Sequence, residues 1–224
     1  MDKATPPQIG TLNESPLHAS LKMYLAPEGS LFEQAVGRYV IDIIHEDLLI
    51  EIQTRHLAAM KTKLNQLLKK HPMMLVHPIA QTKWIIKGDE RRRSPKKGNI
   101  WQAFDELVRI PKLLKHPNLK IRILLIELEE TRRYEAGKAW RRKGWLIDEK
   151  RLLNVQEDFL FQDLASWVAL LPDDLPDPFS CKDLSKIKGL NLRTAQKVAY
   201  TFYHAGAIER CGKKGRAYLY TKSE

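Results

Sequence analysis

The chain has 224 residues, with 38 Lys and Arg against 27 Asp and Glu, and its formal net charge is +11 at pH 7. Hydrophobic residues make up 43% and charged residues 29%, a globular composition that excludes collagen-like, mucin-like and low-complexity chains. No stretch approaches the roughly 18 uncharged apolar residues of a membrane span. The N-terminal sequence MDKATPPQIG has no apolar signal core, so we expect a cytoplasmic protein without a membrane segment.

The positive charge is concentrated in the middle third of the chain. Residues 1–80 hold 8 basic and 8 acidic residues, residues 81–143 hold 18 and 8, and residues 144–224 hold 12 and 11. A phosphate backbone is the commonest partner of such a concentration, and a solvated surface is the alternative. The predicted DNA contacts in this segment are Arg91, Arg92, Arg93, Lys96, Lys97, Arg141, Arg142 and Lys143.

The first 80 residues predict an α/β core. Apolar residues at helical spacing are interrupted by Pro and Gly, so a second short helix that carries Glu33 should begin after Ser30. Branched residues on both sides of a polar break predict a β-hairpin, and the helix and strand after it predict a crossover between parallel strands. The predicted elements are helix 16–34 with a break at 27–30, strands 38–44 and 48–53, helix 54–71 and strand 73–79.

Further elements follow in the remaining two thirds of the chain. They are a short strand at 84–87, helix 100–108, strand 119–128, a peripheral hairpin or arm at 145–154, and helix 158–171 before a Pro-rich acidic linker. Helices 181–187 and 192–204 and strands 205–210 and 217–220 then follow in an order that resembles the winged helix-turn-helix family.

The winged-helix resemblance implies DNA contacts in the C-terminal part of the chain. On the long helix these are Arg193 and Lys197, and on the hairpin tip they are Lys213, Lys214 and Arg216. Domains of this family also serve as protein-interaction modules, which is the alternative.

Two carboxylates fall on the predicted N-terminal hairpin. Asp42 lies in its first strand, and Glu51 lies in its second strand on the same face as Gln53. Burying such polar residues within an apolar strand costs free energy, unless their face of the sheet is solvated or has a function. Two carboxylates that converge at the end of a hairpin can bind a divalent cation, most plausibly Mg²⁺. The alternative is a pair of polar residues on a solvated sheet face.

The order of a helix with Glu33, a strand with Asp42, a strand with Glu51-Ile52-Gln53, a helix and a strand resembles the PD-(D/E)XK nuclease-like fold. The resemblance covers about residues 17–80 and implies a restriction-endonuclease-like mixed sheet flanked by helices. It also implies Asp42 and Glu51 as ligands of Mg²⁺ (or Mn²⁺), the Ile52 carbonyl as a backbone ligand, and Glu33 as a supporting acid. A homodimer is expected from this resemblance alone.

The chain departs from the commonest pattern of this family at two positions. Ile41 precedes the Asp where Pro is usual, and Gln53 replaces the usual Lys, as it does in some members. A Gln can orient the attacking water but cannot supply a positive charge or take up a proton. His45 and Lys83 are candidates for that role.

We therefore predict a nuclease-like domain over residues 1–155, including the basic middle segment, and a winged helix-turn-helix domain over residues 156–224. The predicted function is metal-dependent hydrolysis of DNA phosphodiester bonds by an endonuclease, with Asp42, Glu51, Gln53 and Glu33 as the catalytic set. The alternatives are a DNA-binding regulator or accessory protein without chemistry, including an inactive nuclease-like domain that only binds DNA.

Overall fold

The computed structural model describes residues 14–223, so the N-terminal sequence MDKATPPQIG lies outside the described residues. The first element is helix α1, Pro16–Leu25, which begins with a side-chain cap from Ser15. Its apolar residues recur every four positions, so one face of the helix packs against the sheet. The buried apolar residues of that face are Leu17, Leu21 and Leu25.

An antiparallel meander of three strands follows α1. The strands are β1 (Leu31–Val36), β2 (Tyr39–His45) and β3 (Leu48–Ile52). A turn at Gly37, with φ at +60°, joins β1 to β2, and glycine adopts this conformation without strain. Helix α2, Leu57–Leu67, then crosses over to strand β4, Met73–Lys87, which runs parallel to β3.

The sheet is completed by long strands of the middle segment. Strand β5 (Glu90–Arg93) folds back on the far end of β4, β6 (Leu119–Tyr134) runs parallel to β4, and β7 (Trp145–Phe161) returns antiparallel to β6. The order is β1-β2-β3-β4-β6-β7, with β5 on the free end of β4, so this is a seven-stranded mixed sheet. Between β5 and β6 lie a 3-10 helix, Ile100–Ala103, and helix α3, Phe104–Leu107.

The C-terminal part forms a small unit of helices and a second sheet. Its helices are α4 (Leu164–Val168), α5 (Cys181–Leu184) and α6 (Leu192–Ala205). Its strands are β8 (Phe179–Ser180), β9 (Ile208–Lys214) and β10 (Ala217–Lys222), in the sheet order β8-β10-β9. Among residues 14–223, no helix has the length and apolarity that crossing a membrane requires.

Buried apolar residues pack on both faces of the large sheet. One cluster lies beneath α1, and the other joins the opposite face to α2, α3 and the C-terminal unit. In the second cluster, Phe104 meets Phe202 and Trp167 edge to face at centroid distances of 5.3 and 5.9 Å. The protein is thus α/β, with helices on both sides of a mixed sheet and a C-terminal unit that shares its core.

The structure corrects the prediction of a second helix after Ser30. Residues 31–36 form strand β1, which pairs with β2 through a tight turn, so Glu33 lies on a strand. Cross-strand pairing outweighs the local helical spacing here, because the strand completes the meander.

Two further boundaries differ from the prediction. Residues 158–161 belong to β7 and pair with β6, so the amphipathic helix predicted over 158–171 is reduced to α4. Because β7 continues through Phe161, the boundary drawn at residue 155 falls inside a strand. The predicted strands 73–79 and 84–87 form a single strand, β4.

Candidate functional site

Three carboxylates lie in one row across the meander. Continuing the strand register places Glu33 of β1 opposite Asp42 of β2, and Asp42 opposite Glu51 of β3. The recorded pairs that set this register are Phe32↔Ile43, Gln34↔Ile41 and Ile43↔Ile50. Glu33 has a left-handed φ of +53°, so the regular strand geometry is interrupted at this row.

Asp42 is held by contacts from two neighbouring elements. Its Oδ2 accepts a hydrogen bond of 2.7 Å from the backbone amide of Ile52 and lies 3.3 Å from Nε2 of His18. Burial opposes ionisation, but the hydrogen bonds from His18 and Ile52 outweigh it and lower the pKa of Asp42. Asp42 is therefore a carboxylate at neutral pH.

Glu51 is the most buried of the three carboxylates, with 5% of its surface exposed. It forms an ion pair with Lys63 of α2, whose ammonium also donates to the carbonyl of Val40 at 2.6 Å. Burial, together with the negative charge of Asp42, raises the pKa of Glu51 to about 7, although Lys63 acts in the opposite direction. Repulsion between Asp42 and Glu51 shows that the two carboxylates share one electrostatic site.

Three charged or titratable residues on and just before α1 form a chain of contacts to this row; we refer to them as the ladder. Glu14, His18 and Lys22 recur every four residues, so they lie on one side of α1 and the turn before it. Nζ of Lys22 lies 2.6 Å from Glu14 and 2.7 Å from Glu33, and Nδ1 of His18 lies 2.5 Å from the same Glu14 oxygen. The ladder therefore connects the helix to Glu33 and Asp42.

His18 occupies a central position in the site. Its Nε2 lies 3.3 Å from Asp42 and 3.2 Å from the carbonyl oxygen of Ile52. Burial disfavours the charged ring, but Asp42 and Glu14 outweigh it and raise the pKa of His18 to about 9. A positive nitrogen therefore contacts two of the oxygens predicted as metal ligands.

The residues predicted to orient or activate the attacking water make their contacts away from the two carboxylates. The side-chain amide of Gln53 donates to the carbonyl of Arg55, and His45 lies 3.4 Å from the Ser30 hydroxyl. Lys83 lies 3.5 Å from Glu130, on the long strands of the sheet. The cationic side chain that contacts the Glu51 carboxylate is Lys63, not Lys83 or His45.

A cluster of cations lies around Glu130 on the long strands of the sheet; we refer to it as the cation cluster. Glu130, only 2% exposed, binds Arg132 at 2.5 Å and Lys83 at 3.5 Å, and Lys150 pairs with Glu130 across β6 and β7. Burial, followed by repulsion from Arg55 and weaker repulsion from Lys83 and Arg142, lowers the pKa of Lys150. Its members are Lys83, Arg132 and Lys150 around Glu130, together with Arg55 and Arg142 near Lys150.

Arg55 is the member of this cluster that lies nearest in sequence to the carboxylates. It follows Glu51 by four residues, in the loop that leaves β3. With five cations and one carboxylate, the cluster has surplus positive charge, which attracts an anionic ligand.

The predicted DNA contacts of the middle segment lie on exposed edges of the sheet. Arg91 stacks over Trp84 at 4.1 Å and binds Glu129 at 3.0 Å, and Arg93 donates to Thr82. Arg92 is on β5 as well, and Lys96 and Lys97 follow it in the loop. Arg141, Arg142 and Lys143 form the tip of the β6–β7 arm.

Of the two DNA contacts predicted on α6, one forms an ion pair within the protein and the other is exposed. Lys197 binds Asp105, at the start of α3, at 2.6 Å, so this side of the helix faces the large sheet's core elements. Arg193 lies in the first turn of α6 and is exposed, and the remaining predicted cations lie on the exposed β9–β10 hairpin: Lys213, Lys214 and Arg216.

Four residues of the site were not predicted: Glu14, His18, Lys22 and Lys63. The signal for the first three was present in the sequence, because an acid, a His and a Lys recur at intervals of four along the first helix. Lys63 could not be recognised in this way, because only the crossover between β3 and β4 brings α2 against Glu51.

The donor set fits a hard divalent cation. Asp42, Glu51 and the Ile52 carbonyl offer oxygen ligands, which Mg²⁺ and Mn²⁺ prefer. In addition, Oε2 of Glu14 is buried and accepts no hydrogen bond from the described residues. Over residues 14–223, however, no three His, Cys, Asp or Glu side chains are arranged as a group that could hold a metal ion.

The fold and the site define an α/β protein with a buried acidic site on the meander of a mixed sheet. The chain belongs to the family described as Domain of unknown function (DUF8091), whose model matches residues 15–162. It is also 32% identical over 222 residues to an uncharacterized protein of Treponema pallidum (strain Nichols). The similar region covers 96% of this chain and 87% of that protein. No solved structure matches.

The family match ends with the large sheet. Residue 162 directly follows the last residue of β7, so the matched segment contains α1, all of the large sheet and the cation cluster. The C-terminal unit follows this segment and is included in the similarity to the Treponema protein.

Proposed function

We propose that this protein is a metal-dependent DNA endonuclease of the PD-(D/E)XK nuclease-like type. The observation that supports the proposal is the placement of the partly buried Asp42 and the buried Glu51, which the strand register puts opposite each other on adjacent strands. The order of α1, β2, β3, α2 and β4 supports it, because the sequence resemblance implies a helix, two strands, a helix and a strand; β1, which carries Glu33, is an additional strand.

Asp42, Glu51 and the Ile52 carbonyl are the residues that would hold Mg²⁺ or Mn²⁺. When bound, such an ion lowers the pKa of a water and stabilises charge that develops on phosphoryl oxygens. The Lys63 ammonium lies against Glu51. It would take the role of the lysine that this family usually has at the position of Gln53. Glu33 does not take part directly, because it pairs with Lys22 and fixes the first helix on the meander.

Substrate binding is assigned to the positive surfaces of the long strands. The cation cluster takes phosphates there, and Arg92, Lys96, Lys97 and the arm tip extend the positive surface along the sheet. The C-terminal unit, proposed as a winged helix, has the order helix, helix and hairpin.

A second candidate is a DNA-binding protein without chemistry. One observation favours it: the oxygens of Asp42 and Ile52 contact His18, and Glu51 contacts Lys63, so protein cations already neutralise the proposed metal site. Such pairing would stabilise an acidic site that has lost its metal.

Nicking of supercoiled plasmid separates the two candidates. With Mg²⁺ or Mn²⁺, the nuclease converts plasmid to open circles, and Asp42→Asn or Glu51→Gln abolishes this. The matched controls are Asp47→Asn and Glu46→Gln in the exposed turn of the same hairpin, which should remain active. Nicking that persists in the site variants excludes these residues, and salt-sensitive DNA binding without nicking supports the second candidate.

A further inference from the structure

The outer face of α6 carries a stripe with two exposed apolar side chains. Leu192, Gln196 and Tyr200 recur every four residues, and Leu192 and Tyr200 are 47% and 46% exposed. Lys197, on another side of the helix, is bound to Asp105. Leucine and tyrosine contribute apolar and aromatic surface to a ligand, rather than the paired hydrogen bonds that read base edges in a duplex groove.

The stripe forms one wall of an open groove of about 1130 Å³. The other walls are α5 and the β9–β10 hairpin, and prolines of the segment before β8 close one end. Tyr218 of β10 lines the groove opposite α6 and is 40% exposed. This volume lies at the upper end of the range of small-molecule sites, so the groove has room for several flat groups.

Cations surround this groove. They outnumber acids, because Asp183 is the one acidic residue in the lining and is already bound to Lys186 at 2.9 Å and to the Ser180 hydroxyl at 2.7 Å. The basic residues in the lining are Lys182, Lys186, Arg210, Lys214 and Arg216. The groove therefore complements an anionic ligand.

Aromatic rings and cations are stacked along the hairpin side of the groove. The guanidinium of Arg210 lies 4.1 Å from the ring centre of Tyr203 and 4.0 Å from that of Tyr218. Lys213 lies over the same Tyr218 ring at 4.8 Å. These cation–π contacts hold the Tyr218 ring in place, and the residue remains 40% exposed.

We propose that this groove binds single-stranded nucleic acid, with unpaired bases stacked on Tyr218 and Tyr200 and phosphates on the surrounding cations. Single strands combine flat apolar faces with regularly spaced negative charge, which matches both features of the groove. A duplex hides its base faces, and an acidic peptide lacks an aromatic face at each charge. The inference does not depend on nuclease activity.

Fluorescence anisotropy tests the proposal on the full chain in EDTA. The probes are labelled 12-mers of deoxythymidine and of uridine, which separate DNA from RNA, and a duplex of equal length. We expect at least one single strand to bind in the groove. Tyr218→Ala and Tyr200→Ala each weaken that binding about tenfold while leaving duplex binding unchanged, and the Phe variants retain it.

Tyr24→Ala is the matched control, because Tyr24 is a 50% exposed tyrosine on α1, outside the groove. Equal weakening of duplex and single-strand binding in the Ala variants, unchanged single-strand binding by both variants, or displacement of the single strand by an equimolar polyglutamate peptide would overturn the proposal. Because the assay measures binding without metal, a failure of plasmid nicking leaves its outcome unchanged.

Discussion

The ammonium of Lys22 lies 2.7 Å from the carboxylate of Glu33, and the Lys22 side chain is fully buried. The same ammonium contacts Glu14 at 2.6 Å. Burial alone would disfavour the charge, but both carboxylates compensate it and raise the pKa of Lys22. The contact joins α1 to β1, so the helix that carries His18 is positioned against the carboxylate row by this ion pair.

Replacing this lysine should destabilise the protein. Lys22→Met has a similar volume but leaves Glu33 without its partner and Glu14 with His18 alone, and breaking a buried ion pair in this way costs about 3–5 kcal/mol. Urea unfolding measures the free energy of unfolding. Lys61→Met, on the exposed side of α2, is the control and should change it by less than about 0.5 kcal/mol. Adding Glu33→Gln to Lys22→Met should recover part of the loss, and no recovery would contradict the pairing.

The Lys63 ammonium is predicted to act in the reaction. Lys63→Met removes the positive charge from Glu51 and should lower the nicking rate by about 100-fold, the order found for loss of one charge-stabilising group. Lys63→Arg should retain part of the rate. Lys61→Met is again the control. The DNA affinity of Lys63→Met should equal that of the wild type, because the Lys63 ammonium is paired with Glu51 and is not exposed to a DNA phosphate. An unaltered rate in Lys63→Met would limit Lys63 to a structural role.

The local patterns that predicted the core elements agree with the structure where one face of an element is buried. The hairpin of β2 and β3, helix α2 and helix α6 all follow their apolar spacing. The region around Glu33 could not be predicted in this way, because a helical spacing of apolar residues competes with strand pairing to β2. Only the tertiary contact decides between the two.

The same distinction applies to the site. Asp42 and Glu51 could be predicted, because carboxylates in apolar strands are unusual in any fold. Their partners could not, because His18 and Lys63 reach them from different helices across 24 and 12 residues of chain. Gln53 was assigned to the site by sequence position, whereas its side chain hydrogen bonds to the Arg55 backbone.

The cation cluster gives a prediction about salt. Lys150→Ala and Arg55→Ala should each weaken duplex binding and reduce the slope of log affinity against log salt by about 0.9, the value for loss of one phosphate contact. Lys69→Ala, an exposed lysine after α2, should leave the slope unchanged. Anisotropy titrations between 50 and 200 mM salt, roughly the range over which such slopes are resolved, measure this. Unchanged slopes in both variants would remove the cluster from the DNA path.

Protonation of His77 should destabilise the protein in mild acid. His77 is 5% exposed, and its Nδ1 donates a hydrogen bond of 2.7 Å to the carbonyl of Gln53. Burial lowers its pKa below the ordinary value of 6.5, although the Gln53 carbonyl acts in the opposite direction. Below pH 6.5 the unfolded chain therefore binds a proton that the folded chain resists, so stability is complete above this pH and is lost as the pH falls.

The His77→Asn variant separates this effect from the titration of carboxylates. Its amide can still donate to Gln53 but does not titrate. Linkage of one proton changes the free energy of unfolding by about 1.4 kcal/mol per pH unit. Between pH 6.5 and 5, the free energy of unfolding of the variant should therefore fall less steeply than that of the wild type, by up to this slope. Urea unfolding at pH 8, 6.5 and 5 measures both proteins. Parallel stability curves for the two would show that His77 is protonated without cost in the folded state.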